Sequence, residues 1–277
     1  MQETKSSGEL QEHMLWTYYG LRVGLAAIGI ALPILVLLAG GVLHDVWLEP
    51  SLSAYYHTAP KQQWFTTRDI LVGGLLAASA CLYLYKGFSN KENIALNLAG
   101  VFAVFVALLP VAATDQVSGL ISKLHGTSAV LFFLCIAYVS LARSRDTLHL
   151  LQDAARRSWY EGLYTSTGLV MIVSPAAAVV LSFALEPTSR LRSVTFWVET
   201  LGVWSFAAYW IIKTGEMRES SAEQLALDAK LKRDVVPADA DIATDGSRAQ
   251  APTKPGVERI VPADPAKNAV TAAPPLH

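Results

Sequence analysis

The chain has 277 residues, of which 52% are hydrophobic and only 16% charged, with a net charge of −1. A soluble domain is about a quarter charged, so this composition excludes an ordinary water-soluble globule and points to the bilayer. The near-neutral charge offers no electrostatic footprint for nucleic acid, and the sequence holds no GxxxxGK[ST], CxxC or HExxH motif.

Residues 1–19 read as a polar cytoplasmic lead. Within it, Met14, Leu15, Trp16, Tyr18 and Tyr19 fit a short interfacial helix, because amphipathic rings settle at headgroup level. No basic start or small-residue cleavage site precedes the first apolar run, so that run is expected to stay as an anchor. A transmembrane helix needs about 20 apolar residues. The first predicted span is 21–43, with Pro33 at its middle as an expected kink and Gly20 and Gly24 spaced for close helix packing. A first outer loop, 44–67, leads to span 2 over 69–85. The turn KGFSNKEN joins it to span 3 over 94–113, where Pro110 lies near the outer end and Asn93 and Asn97 are placed to hydrogen-bond across helices. A short outer loop leads to span 4 over 125–141, then a basic loop to span 5 over 160–185, which Pro175 interrupts. Span 6 covers 193–212, with Trp197, Trp204 and Trp210 as anchors and packing groups.

Lysine and arginine concentrate on cytoplasmic loops. With the N-terminus inside, thirteen of them fall on inner segments, among them Arg22, Lys86, Arg143 and Lys213, against five outside: Lys61, Arg68, Lys123, Arg190 and Arg192. Six spans then put both termini in the cytoplasm. Residues 214–234 read as a charged cytoplasmic helical extension. Residues 235–277, rich in Ala, Pro, Asp and Thr with no aromatics, read as a disordered tail. Cys81 and Cys135 lie inside spans and are expected to pack as small apolar groups. No internal repeat is evident. The predicted fold is all-α, a polytopic bundle of six transmembrane helices over 20–213.

Ionisable residues are costly inside a span and face a protein interior or a wet cavity. This orientation collects six near the outer face: His57 in the first loop, Arg68 and Asp69 opening span 2, Asp115 past span 3, His125 opening span 4, and Glu199 in span 6. Glu199 lies roughly 9 Å below the outer end of its helix at 1.5 Å rise per residue. Arg68, Arg190 or Arg192 is its expected cation. Three readings of the cluster stand open. In the first, Arg68 pairs with Asp69, Asp115 or Glu199 and ties the helices together. In the second, Arg68, His57, Tyr55, Tyr56 and Trp64 line a pocket for a lipid headgroup or small ligand. In the third, zinc activates a water, with His57 and His125 as ligands, Asp69 or Asp115 as a carboxylate ligand or base, and Glu199 as the acid–base partner. Asp69, Asp115 and Glu199 are then the catalytic candidates. Thr127 and Ser128 beside His125 lack a nucleophile-elbow context, so a serine hydrolase is not expected.

The segments SLSAYYHT, RDILVGGLL, ENIALNLAGVFAVFVALLPVAAT, LHGTSAVLFFLCIAY and FWVETLGVWSFAAYWIIK resemble a family of bacterial six-span inner-membrane proteins, a likeness that implies the fold and no particular reaction. A looser likeness is to the alkaline ceramidase and adiponectin-receptor-like membrane hydrolases. It implies that Ser53, His57, Asp69 or Asp115, and His125 surround zinc, against six spans in place of seven and no late HxxxH. The leading expectation is a binding or accessory protein whose pocket, with Ser53, Tyr56, His57, Arg68, Asp69, His125 and Glu199, opens outward. A zinc-dependent lipid amidase or esterase and a transporter are the alternatives, and a second copy or a larger complex is a further partner.

Overall fold

In a computed structural model of the full chain, the structure describes residues 2–58, 64–110, 119–184 and 193–225. These all fall in one compact unit spanning 1–228; the second unit, 229–277, lies outside the described residues, and with it the expected disordered tail. The described residues are helical and contain no strand. The helices are α1 Gln2–His44, α2 Thr67–Leu84, α3 Asn90–Leu108, α4 Gly119–Tyr138, α5 Arg145–Leu148, α6 Ala154–Ala184 and α7 Ser193–Ser220, with a 3-10 turn at Leu52–His57 and a π-turn at Val139–Arg143. Five stretches are long and apolar enough to cross a membrane: Gly8–His44, Thr67–Leu84, Asn90–Leu108, Gly119–Leu148 and Ala154–Leu181. The protein is an all-α, multi-pass membrane bundle.

Each long helix packs on its chain neighbours, α1 on α2, α2 on α3, α3 on α4, α4 on α6 and α6 on α7, and α7 returns to α1. The six helices thus close a ring. Apolar side chains cover its outside, among them Val42, Leu84, Val173, Val180 and Ile211, as a lipid-facing surface requires. Inside, association in lipid relies on close packing and a few hydrogen bonds. Ser79 donates to the Gly100 carbonyl at 2.7 Å, Ser205 to that of Thr167 at 2.9 Å and Ser140 to that of Tyr164 at 2.8 Å. Such ties are worth about 0.6–2 kcal/mol each in a membrane.

Several boundaries differ from the sequence reading. α1 runs as a single helix through the expected lead and through Pro33, about 65 Å at 1.5 Å per residue. It ends where Asp45 turns left-handed (φ 56°), a conformation a short polar side chain tolerates. The close contact of α1 is not at Gly20 or Gly24, where a Cβ would meet nothing within 4 Å, but at Gly29, where it would lie 2.9 Å from Ala207 Cβ. α4 starts at Gly119, so His125 sits inside the helix instead of opening it. Asn93 accepts from the Gly87 N–H at 2.6 Å and so closes the turn before α3 instead of bridging helices. α7 continues to Ser220; Ser221, left-handed at φ 49°, breaks it, and residues 222–225 form a further helical turn. Cys81 and Cys135 are free thiols packed against the core. Trp210 is fully buried among Tyr85, Phe206 and Tyr209, whereas Trp197 and Trp204 face outward.

Candidate functional site

The turn between α1 and α2 forms a roof over one end of the ring. Ser51 caps it, its hydroxyl accepting from the Ala54 N–H at 3.1 Å. Two bonds fasten it from below. Thr67 at the start of α2 donates to the Tyr55 carbonyl at 2.7 Å, and the buried Tyr55 hydroxyl donates to the Trp47 carbonyl at 3.1 Å. Burial pushes the Tyr55 phenol above its ordinary range, which keeps it a neutral donor. Tyr55 packs on Phe196 of α7, and Leu52 joins the same apolar cluster with Leu32, Val36 and Leu71.

Two ionisable side chains reach this roof from different helices. Glu199 of α7 takes the Leu52 N–H on Oε2 at 2.7 Å, and the Ser53 N–H also faces its carboxylate. A 3-10 turn leaves its first N–H groups unpartnered, and a carboxylate is a strong acceptor for them. The cation expected for Glu199 is therefore replaced, among the described residues, by backbone amides; Arg190 and Arg192 lie outside them. His125 of α4 is buried. Its Nδ1 lies 2.7 Å from the Leu109 carbonyl, and its Nε2 lies 3.1 Å from the Ser53 hydroxyl. The reason lies in α3. Pro110 has no N–H, so the Val106 carbonyl loses its helical partner, and Leu109 is one of the terminal residues whose carbonyls the helix leaves free. His125 faces both of these oxygens.

Beneath the roof lies a cavity of about 380 Å³. Leu32, Leu71, Leu75, Val106, Phe133 and Phe206 are among its walls, and Ser53, His125 and Glu199 are among its polar groups. Its size is that of a small-molecule site, roughly 300–1,000 Å³, and so is its chemistry, apolar with a few placed polar groups.

The remaining expected site residues lie elsewhere. Arg68 is exposed and stacks on Tyr56, its guanidinium carbon 4.5 Å from the ring centroid. Asp69 is exposed and caps α2, accepting from the Thr66 N–H at 2.8 Å and its hydroxyl at 2.9 Å. His57 is exposed with its ring against Tyr56. None of these four lines the cavity. Among the described residues no ion pair joins Arg68 to Asp69 or Glu199, and no three His, Cys, Asp or Glu side chains are grouped to hold a metal ion. Asp115 lies outside the described residues. The structure thus brings Ser53, His125 and Glu199 together and leaves Tyr56, His57, Arg68 and Asp69 at the rim.

A second polar cluster, at the opposite end of the ring, was not legible as a site in the sequence. Lys213 and Glu216 of α7 are 1% and 0% exposed and pair at 3.0 Å. Thr147 and Tyr164 each donate to Glu216 at 2.5 Å, and Lys213 reaches the Thr147 hydroxyl at 2.9 Å. Nearby, buried Arg22 of α1 pairs with Glu223 and reaches the Tyr85 hydroxyl at 3.5 Å, while buried Glu92 takes the Phe88 N–H at 2.8 Å. The i,i+3 spacing of Lys213 and Glu216 after the aromatic Tyr209–Trp210 pair was the available signal.

No family model matches the chain, and neither curated proteins nor solved structures include a match.

Proposed function

We propose that the protein is a six-span protein of the bacterial inner membrane that holds an amphiphile, its apolar chain in the cavity and its polar head against Ser53, His125 and Glu199. The cavity carries this reading: largely apolar walls with Ser53, His125 and Glu199 gathered at the roof fit a ligand of the same polarity. The roof faces the periplasm, in line with the lysine and arginine distribution. Support for α7 as the sixth span comes from its outward Trp197, Leu201 and Ile211 and from its place in the ring; its Lys213 and Glu216 neutralise one another inside the protein.

Native mass spectrometry of protein purified in a mild detergent tests the reading. The wild type is expected to carry close to one amphiphile per chain. Gly126 lines the cavity, and a Cβ added there meets nothing within 4 Å, so Gly126→Phe is expected to enter the space and abolish occupancy without unfolding the protein. An empty wild type, or equal occupancy in Gly126→Phe, would overturn it. For orientation, in a background lacking Cys81 and Cys135, a cysteine at exposed His57 should react with an impermeant maleimide in intact cells, and one at exposed Gln224 only after permeabilisation. The reverse pattern would invert the topology.

A further inference from the structure

The geometry points to a catalytic role for two of the three polar groups: Ser53 is a nucleophile activated by His125, and the cavity presents to it the acyl group of a lipid ester. This rests on the amphiphile-binding reading and goes beyond it to a reaction. The Leu109 carbonyl can only accept, so Nδ1 of neutral His125 carries the ring hydrogen. Nε2 is then a lone pair 3.1 Å from the Ser53 hydroxyl, within reach for general-base catalysis. The imidazole is oriented by a helix-end carbonyl, in the place a carboxylate takes in a Ser–His–Asp triad. Ser53 is held by the roof: Glu199 fixes the adjacent amides, and Thr67 fixes the Tyr55 carbonyl two residues on. Both residues of the dyad line the cavity.

The step balances with water as the only co-reactant. The Ser53 oxygen bonds to the acyl carbon while its proton passes to His125 Nε2. The carbon–oxygen bond of the ester breaks, and that proton leaves with the alcohol. Water then gives a proton to His125 and attacks the acyl-serine; the carboxylic acid departs as the proton returns to Ser53. The Leu52 and Ser53 amides are committed to Glu199, so the acceleration expected is that of a general base, about 10²–10⁴-fold, without the further 10²–10³ of an oxyanion hole. A reactive acyl-like probe is therefore the right assay.

Purified full-length protein would be treated with a long-chain alkyl fluorophosphonate and the modified residue mapped by mass spectrometry. Labelling at Ser53 is expected, absent in Ser53→Ala and slowed at least about a hundred-fold in His125→Gln. The wild type supplies a readout that needs no variant: its labelling rate should rise with pH as one base loses its proton and then level off, where an unactivated serine would follow hydroxide throughout. Labelling at Ser53 that is unchanged in folded His125→Gln, or that shows no plateau, overturns the dyad. Absence of Ser53 labelling in protein that carries its amphiphile overturns the dyad and leaves the binding reading standing. Absence of both overturns the two together.

Discussion

Replacing Glu216 by glutamine tests whether the polar cluster opposite the roof is a buried ion pair. Glu216 is fully buried and receives Lys213 at 3.0 Å and the Thr147 and Tyr164 hydroxyls at 2.5 Å each. Glutamine keeps one acceptor oxygen, enough for only one of those two hydroxyls, which bond to different carboxylate oxygens, and it leaves the Lys213 ammonium, 1% exposed, without its counter-charge. Removing one partner of a buried pair costs about 3–5 kcal/mol. At about 2–4 °C per kcal/mol for a chain of this size, melting should fall by about 6–20 °C. Lys213→Met should cost less, because Glu216 retains two hydroxyl donors. The double variant should lose less than the sum of the singles, with a coupling of about 0.5–3 kcal/mol. Thermal melting in detergent, followed by size-exclusion chromatography, reads all three. A Glu216→Gln protein melting within about 2 °C of wild type, or strictly additive losses, would show that these groups do not act as a buried pair.

The glycine contacts of α1 give a paired test. Gly29→Leu crowds Ala207 and Phe206 and should cost about 1–3 kcal/mol, whereas Gly24→Leu should melt as the wild type does; equal losses would contradict the α1–α7 packing. At the rim, Asp69→Ala removes the N3 carboxylate of the α2 capping box, leaving Thr66 as N-cap, and should cost about 0.3–1.5 kcal/mol while leaving amphiphile occupancy in native mass spectra unchanged. Loss of the ligand in that variant would return Asp69 to the site.

The sequence carried the class of fold in its most redundant signal. Runs of about 20 apolar residues have few ways to satisfy their backbone in lipid other than as helices, and the turn KGFSNKEN marked where one helix ends and the next begins; span 3, expected to run to 113, stops at Leu108 ahead of Pro110. It also singled out Glu199 and His125, because an ionisable group in such a run needs a partner. What it did not carry was the identity of that partner. Glu199 was expected to find an arginine; among the described residues it takes the Leu52 amide, and Arg68 does not pair with it. His125 was expected beside Ser53, His57 and Asp69; of these it meets Ser53, and its other nitrogen meets the Leu109 carbonyl at the end of α3. Backbone groups are identical at every position, so nothing in a residue list distinguishes the few left unpaired at a helix end or in a 3-10 turn. Likewise Arg22 and Lys213 counted as loop charges until the ring closed around them. The helices were settled along the chain; which polar atoms meet was decided across it, by where α1, α3, α4 and α7 converge, since only packing determines which unpaired donor lies within reach of which acceptor.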